Sequence, residues 1–240
     1  MAGGTLGHVT DYAERPSAHD IFACTWSRTM PRGAQPTHVV PDGCADVLWH
    51  RETGRLFVAG PDTRAHRTAL SAGLLVAVRF LPGRAPAGLG VPTSEVRDER
   101  VDLDLVWPGD RVRRLADALA ATRTAASAAR VLADAVAGLR GEWDPAVPRL
   151  LSLVRRGDRV AAVADALGWT ERQLHRRSLA AFGYGPKTLQ RVLRFDRALR
   201  LARDGTDLAS VAYATGYADQ AHLARDVKAL AGRPMTALLS

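Results

Sequence analysis

Two stretches in the last third of the chain repeat one another, and this duplication limits the fold more than any other feature. One runs Val160 to Leu174, VAAVADALGWTERQL, and the other Leu208 to Leu223, LASVAYATGYADQAHL. Aligning Gly168 with Gly216 superposes Val163 on Val211, Ala164 on Ala212 and Trp169 on Tyr217. Each copy reads as a short helix, a glycine turn and a second helix. The residue types follow from sterics. A small side chain must sit where the two helices cross, the turn needs a residue that tolerates positive φ, and an aromatic after the glycine fills the gap between the helices. Thr170 with Gln173 forms a capping box for the second helix of the first copy. Asp219 is the expected N-cap in the second. One such turn is common in helical proteins; two in one basic segment point to paired helix-turn-helix units.

Charge agrees. The chain of 240 residues carries 33 Lys+Arg and 25 Asp+Glu, a net charge of +8. Residues 1–150 hold 18 basic against 17 acidic residues, and residues 151–240 hold 15 against 8. An excess confined to one end is the electrostatic footprint of a nucleic-acid-binding unit, although general solubility accounts for charge alone equally well. Apolar residues at 47% and charged residues at 24% are ordinary for a globular protein. No apolar run is long enough for a transmembrane helix, and the start MAGGTLGHVTDYAERP lacks the pattern of a signal peptide. A cytoplasmic protein without membrane contact is expected.

If each second helix enters a major groove, its outward side chains are the candidates for reading bases. In the first copy Leu174 faces inward, which leaves Arg172, His175 and Arg176 on the outer face. In the second, Leu223 is inside and Gln220, His222 and Arg225 lie outward or near the edge. Arginine pairs bidentately with guanine and glutamine with adenine; the two histidines serve equally well as caps or phosphate contacts. Between the copies, Lys187 to Arg203 reads as one helix starting after Pro186. Such a helix holds two reading heads at a fixed distance, which for successive major grooves on one face of DNA is about 34 Å. Thr170, Lys187, Arg191 and Arg194 are the candidates for phosphate contacts, which position the protein without specifying sequence.

Residues 155–238 resemble the DNA-binding domain of the AraC/XylS family. The resemblance rests on Ala164 to Arg176, Phe182-Gly183-Tyr184-Gly185-Pro186-Lys187, the connecting helix Arg191 to Leu201, Val211 to Leu223, Lys228 and Gly232-Arg233-Pro234. It covers about a third of the chain. It implies a seven-helix domain that binds double-stranded DNA and regulates transcription, most often as an activator working with RNA polymerase. Two departures stand out. Arg177 and Ser178 replace the apolar and aromatic residues usual after the first recognition-helix arginine, and Leu223 and Val227 stand where phenylalanines are usual. Both predict a repacked core, and the first a shift of the first recognition helix.

The N-terminal part reads differently. His38-Val39-Val40, Ala45 to His50, Leu56 to Ala59 and Leu74 to Phe80 are strand candidates separated by Pro41-Asp42-Gly43, Arg51 to Gly54 and Gly60-Pro61-Asp62. Turns this short argue for an antiparallel sheet, sandwich or barrel. From about 110 helical spacing takes over, through Val112, Leu115 and Leu119 and then Ala128, Val131, Leu132, Val136 and Leu139. These helices form a homodimer face or simply pack within their own domain. The expected fold is α+β: residues 1–142 a sensor or dimerisation domain, β-rich to about 83 and helical after it, and residues 143–240 the all-α DNA-binding domain. Val40 to Trp49 and Val78 to Gly83 resemble a cupin-like sensor domain of AraC-type regulators with no assigned ligand. The implied partner is a small-molecule effector, with Trp49, Phe57, Arg79 and Phe80 as candidate pocket residues; core packing explains them equally well.

No cofactor and no metal site is expected. His38, His50, His66, Asp42, Asp46 and Glu52 show no H-x-H or H-E-x-x-H spacing. Cys24 and Cys44 fit no CxxC pattern, and the acidic neighbours of Cys44 raise a thiol pKa rather than activate it. The chain is therefore not read as an enzyme. Two alternatives stay open beside a ligand-responsive regulator: a DNA-binding regulator whose N-terminal half only dimerises or binds a protein partner, and a cupin-like enzyme fused to a DNA-binding domain.

Overall fold

The computed structural model describes residues 12–33, 37–68 and 71–239. The start at residues 1–11, read above for a leader pattern, lies outside them. Six strands form an antiparallel sheet in the order β1-β2-β7-β4-β5-β8: β1 Tyr12–Arg15, β2 Phe22–Met30, β4 Asp46–His50, β5 Leu56–Ala59, β7 Gly73–Phe80 and β8 Arg100–Asp102. The short strands β3 Thr37–Val39 and β6 His66–Thr68 pair separately. Among the described residues the six-stranded sheet stays open between β1 and β8, so it is not a closed barrel.

Side-chain alternation gives the sheet two different faces. Cross-strand partners share a face, as in Trp49↔Val76, Val47↔Val78 and Val47↔Val58. These residues, with Leu56 and Phe80, form one core with Leu115 and Leu119 of α2 (Gly109–Ala120) and Leu132 and Val136 of α3 (Ala125–Ala137). The other face carries Trp26, Met30, Leu48, Phe57, Leu75 and Ala77, a smaller cluster. The sheet does not end near residue 83. After α1 (Ala85–Leu89) the chain returns as β8, three residues pairing with β5; a segment that short, with charges at both ends, has no strand pattern of its own.

Everything after Trp143 is helical: α4 Val147–Arg155, α5 Val160–Leu167, α6 Glu171–Phe182, α7 Pro186–Arg203, α8 Leu208–Ala214, α9 Gln220–Ala231 and α10 Thr236–Leu239. Two apolar clusters form here, one around α5 and α6 and one around α8 and α9. The single helix α7 supplies both. Leu189, Val192 and Leu193 enter the first, and Phe195, Ala198, Leu199 and Ala202 the second. At about 1.5 Å per residue, its 18 residues span roughly 27 Å.

The two parts of the chain are bonded together through buried groups. The buried Tyr184 donates its hydroxyl to the Asp62 carbonyl at 2.5 Å. Thr93 Oγ1 donates to the Ala181 carbonyl at 2.8 Å, and the Ala65 N–H to the Leu230 carbonyl at 2.6 Å. Gly83 is close-packed: a Cβ there would come within 2.5 Å of Val147 and 2.8 Å of Phe182. A larger residue at 83 forces these parts apart.

Candidate nucleic-acid interface and pocket

The two repeats fold alike at their turns. Gly168 and Gly216 have φ of 68° and 78°, the left-handed region that a side chain disfavours. The next N–H donates back to the small residue in both copies, Trp169 to Ala164 and Tyr217 to Ala212, each at 2.9 Å. Ala164 and Ala212 are both buried at the helix crossing. The Thr170 hydroxyl accepts from the Gln173 N–H while Gln173 Oε1 accepts from the Thr170 N–H, closing the capping box. Asp219 caps α9 by accepting from the His222 N–H at 2.6 Å.

On these scaffolds Arg172, His175 and Arg176 are exposed on α6, and Gln220 and Arg225 on α9. His222 is half-buried; its Nδ1 accepts from the Ala218 N–H at 3.3 Å and its ring meets Tyr217 edge-on at 5.1 Å. It braces the turn as well as facing the edge of the helix. Thr170 and Lys187 are exposed near the start of α6 and α7. Arg191 and Arg194 are partly exposed, and both are engaged within the protein. Both pair with Asp226, at 2.5 and 3.3 Å, and Arg194 also stacks over Tyr217 at 4.2 Å. Asp226 is only 8% exposed and accepts from the Tyr217 hydroxyl too. This buried carboxylate ties α9 to α7, a link the sequence does not announce.

The departures in the first unit have local explanations. Ser178 is fully buried and donates to the Tyr184 carbonyl at 2.7 Å, a bond an apolar residue cannot make. Arg177 lies over the Trp169 ring at 4.3 Å and pairs with Asp144 at 2.9 Å. Leu223 and Val227 are both buried in the second cluster.

A cavity of about 140 Å³ lies between the second face of the sheet and α7. Trp26, Met30, Leu48, Phe57 and Leu75 form its apolar walls, Val39 and Val40 lie across it, and Asp196, Leu199 and Arg203 of α7 close it. Of the four residues expected to line a pocket, Phe57 and Arg79 do. Trp49 and Phe80 do not: each is one residue out of phase with Leu48 and Arg79, so alternation turns them into the core against α2 and α3. Arg79 donates to Asp46 at 3.1 Å and sits 3.7 Å from Asp42. Burial raises the Asp46 pKa while Arg79 pulls it down; Asp46 in turn keeps the guanidinium charged well above its usual range. Trp26 Nε1 donates to the same carboxylate at 2.8 Å. Arg28 also lines the cavity and makes no ion pair among the described residues.

Burial pushes the Cys24 thiol up to about 12 and raises Cys44 as well, and both cysteines are free. Neither is an activated thiolate. Among the described residues no group of three His, Cys, Asp or Glu could hold a metal ion. His50 is a buried structural residue, with Thr53 Oγ1 at 2.9 Å and the Ser71 carbonyl at 3.2 Å from its ring nitrogens. No helix of the described residues is long and apolar enough to cross a membrane.

Two helix-turn-helix units with exposed arginines on their second helices define a DNA-binding regulator. Residues 163–240 match the model of a helix-turn-helix domain, and the C-terminal part of the chain is of the AraC type. Residues 15–102 match a domain of unknown function, DUF6597. No curated protein matches the chain. Among solved structures it is similar to ToxT from Vibrio cholerae, at 13% identity over 92% of this chain and 98% of that one, with a TM-score of 0.46. A ToxT structure described as bound to an unsaturated fatty acid aligns at 11% identity over 98% of this chain and 97% of that one, with a TM-score of 0.42.

Asp196 gives the pocket wall a pH signature. Burial pushes its carboxyl up to about 6, with Asp42 adding to the rise and Arg200, 2.9 Å away, opposing it. An unfolded aspartate ionises near 3.9. The folded state therefore holds this proton more tightly, and the stability that results is full below about pH 4 and lost as pH rises through about 6. Asp196→Asn removes the titration. The variant's thermal stability relative to wild type should climb between pH 4 and pH 6.5, by up to about 3 kcal/mol. A difference that stays flat across that range, followed by thermal unfolding, would show that Asp196 is not held protonated by its site.

Proposed function

We propose that this chain is a transcription regulator that reads two successive major grooves with α6 and α9 and answers to a small molecule bound between its sheet and α7. Residues 143–240 are the DNA-binding domain and residues 1–142 the sensor. The observation that carries the reading is the equivalence of the two turns. It sets Arg172 and Arg176 on one exposed helix and Gln220 and Arg225 on another, with both helices held by α7. His175 and His222 complete these faces. Thr170 and Lys187 are the phosphate contacts best placed to act. Arg191 and Arg194 reach a phosphate only by sharing their charge with Asp226. RNA polymerase is the protein partner such a regulator addresses.

The effector reading rests on the lining of the cavity. A cavity of about 150 Å³ takes a benzene-sized ligand, and this pocket, at about 140 Å³, suits a molecule of roughly one ring. Its walls combine apolar side chains with charged groups such as Arg79, paired with Asp46 and Asp42, and Arg28 offers donors without an ion-pair partner to an acceptor group on the ligand. Leu199 is the link to DNA binding, because it lines the pocket and also sits in the core of the second unit.

DNA binding to the upstream region of the chain's own gene and to neighbouring promoters tests the first claim. Wild type should select a site of about two helical turns. Arg176→Ala and Arg225→Ala should each lose about 1–3 kcal/mol of discrimination at their own half-site only. If Arg225→Ala alone matters, α6 positions and does not read. If wild type selects no site, the regulator reading fails. Ring-sized compounds that raise the melting temperature test the second claim. By linkage, such a compound must change DNA affinity by the same factor as DNA changes its own. A compound that binds with no effect on DNA affinity would leave the pocket without a regulatory role.

A further inference from the structure

A second concavity, of about 600 Å³, opens between the two reading units and has a different chemistry. Its wall on one side is the end of α4 with the following turn, Arg155 to Gly157. Its floor is the middle of α7, with Arg194, Arg197 and Arg200. Its other wall is Tyr213 to Gly216, the turn of the second unit. Five arginines line it, and no carboxylate does.

Three of the five are partly neutralised from outside the lining: Arg156 by Asp158, Arg194 by Asp226 and Arg200 by Asp196. Arg155 and Arg197 are exposed and make no ion pair among the described residues. Tyr213 is 89% exposed at the rim, an unusual place for an aromatic ring unless something meets it. The guanidinium groups of Arg155 and Arg197 lack a paired carboxylate, and bidentate pairing with phosphate oxygens would supply their partner.

We infer that this concavity binds the sugar-phosphate backbone of the DNA stretch between the two half-sites. The inference rests on the DNA-binding reading above. With α6 and α9 in successive major grooves, about 34 Å apart, the stretch facing α7 is the intervening minor groove with a row of phosphates on each side. The arginine-lined hollow lies between the two units, walled by one and by the turn of the other. Arg155 and Arg197 are its primary phosphate contacts, and the Tyr213 hydroxyl is a further donor. None of these three reads sequence.

The test is binding of the full chain to its specific site and to unrelated duplex across a salt series, comparing wild type with Arg155→Ala/Arg197→Ala. Each released phosphate contact removes about 0.9 from the slope of log affinity against log salt. The double variant should therefore lower the slope by about 1.8, weaken specific and unrelated duplex by the same factor, and keep wild-type discrimination between bases. Arg155→Lys/Arg197→Lys should restore most of the slope, because counterion release follows charge. An unchanged melting temperature would confirm that folding is intact, as expected for exposed residues. If wild type selects its site but the double variant binds with the same slope and affinity, the concavity does not meet DNA and the inference is overturned. Loss of transcription with DNA binding intact would overturn it equally, in favour of an acidic protein surface. Failure of wild type to select any site would instead reject the regulator reading itself.

Discussion

The structure of the DNA-binding half depends on one helix serving two cores. The apolar residues of α7 divide near its middle. Leu189, Val192 and Leu193 complete the first unit, and Phe195, Ala198, Leu199 and Ala202 the second. Neither unit can bury its apolar face without α7, since a pair of helices as short as α5 and α6 encloses too little. The two units therefore cannot reorient independently without exposing part of one core. Asp226 strengthens the connection by gathering Arg191, Arg194 and Tyr217 around a carboxylate that is nearly out of water. Removing one member of such a group strands the rest, so it holds geometry more than it adds stability.

The same helix closes the pocket, and this gives the effector reading a physical route. A ligand against Leu199, Asp196 or Arg203 touches the element that sets the spacing of the reading heads. The first unit is also fixed to the sheet side by Tyr184 and Thr93, while the second meets it at Leu230 and Val40. A shift of α7 relative to the sheet would strain these two attachments unequally. A ligand changes DNA binding only by its difference in affinity between two such arrangements, and the contacts with α7 are where that difference arises.

The C-terminal half was legible in the sequence because its constraints are local. A glycine with positive φ, a small residue four positions before it and a capping residue after it are fixed by backbone sterics, and both copies carry all three. The central strands β4, β5 and β7 were legible for a similar reason, being apolar runs bounded by turn residues. What stayed hidden depended on contacts between distant residues. The approach of Asp196, Leu199 and Arg203 to a sheet built more than 90 residues earlier leaves no trace in spacing. Nor does Asp226, which reads as one more surface charge on an amphipathic helix until α7 is placed against it. Trp49 and Phe80 belong to the core against α2 and α3 and not to the pocket. Arg79 and Phe80 are adjacent in one strand, so strand alternation alone forbids both from facing one cavity.

The central claim is that α7 holds the reading heads at a fixed distance and rotation. The most direct measurement is affinity for the specific duplex against versions with five base pairs inserted between its half-sites. Such an insertion turns one half-site by about half a helical turn to the opposite face. The account predicts that affinity then falls to that of a single half-site, and that a ten-base-pair insertion, which restores the face but lengthens the span by about 34 Å, does not recover it. Equal affinity for the native and the five-base-pair-inserted duplex would mean that the two units bind independently, and would contradict it.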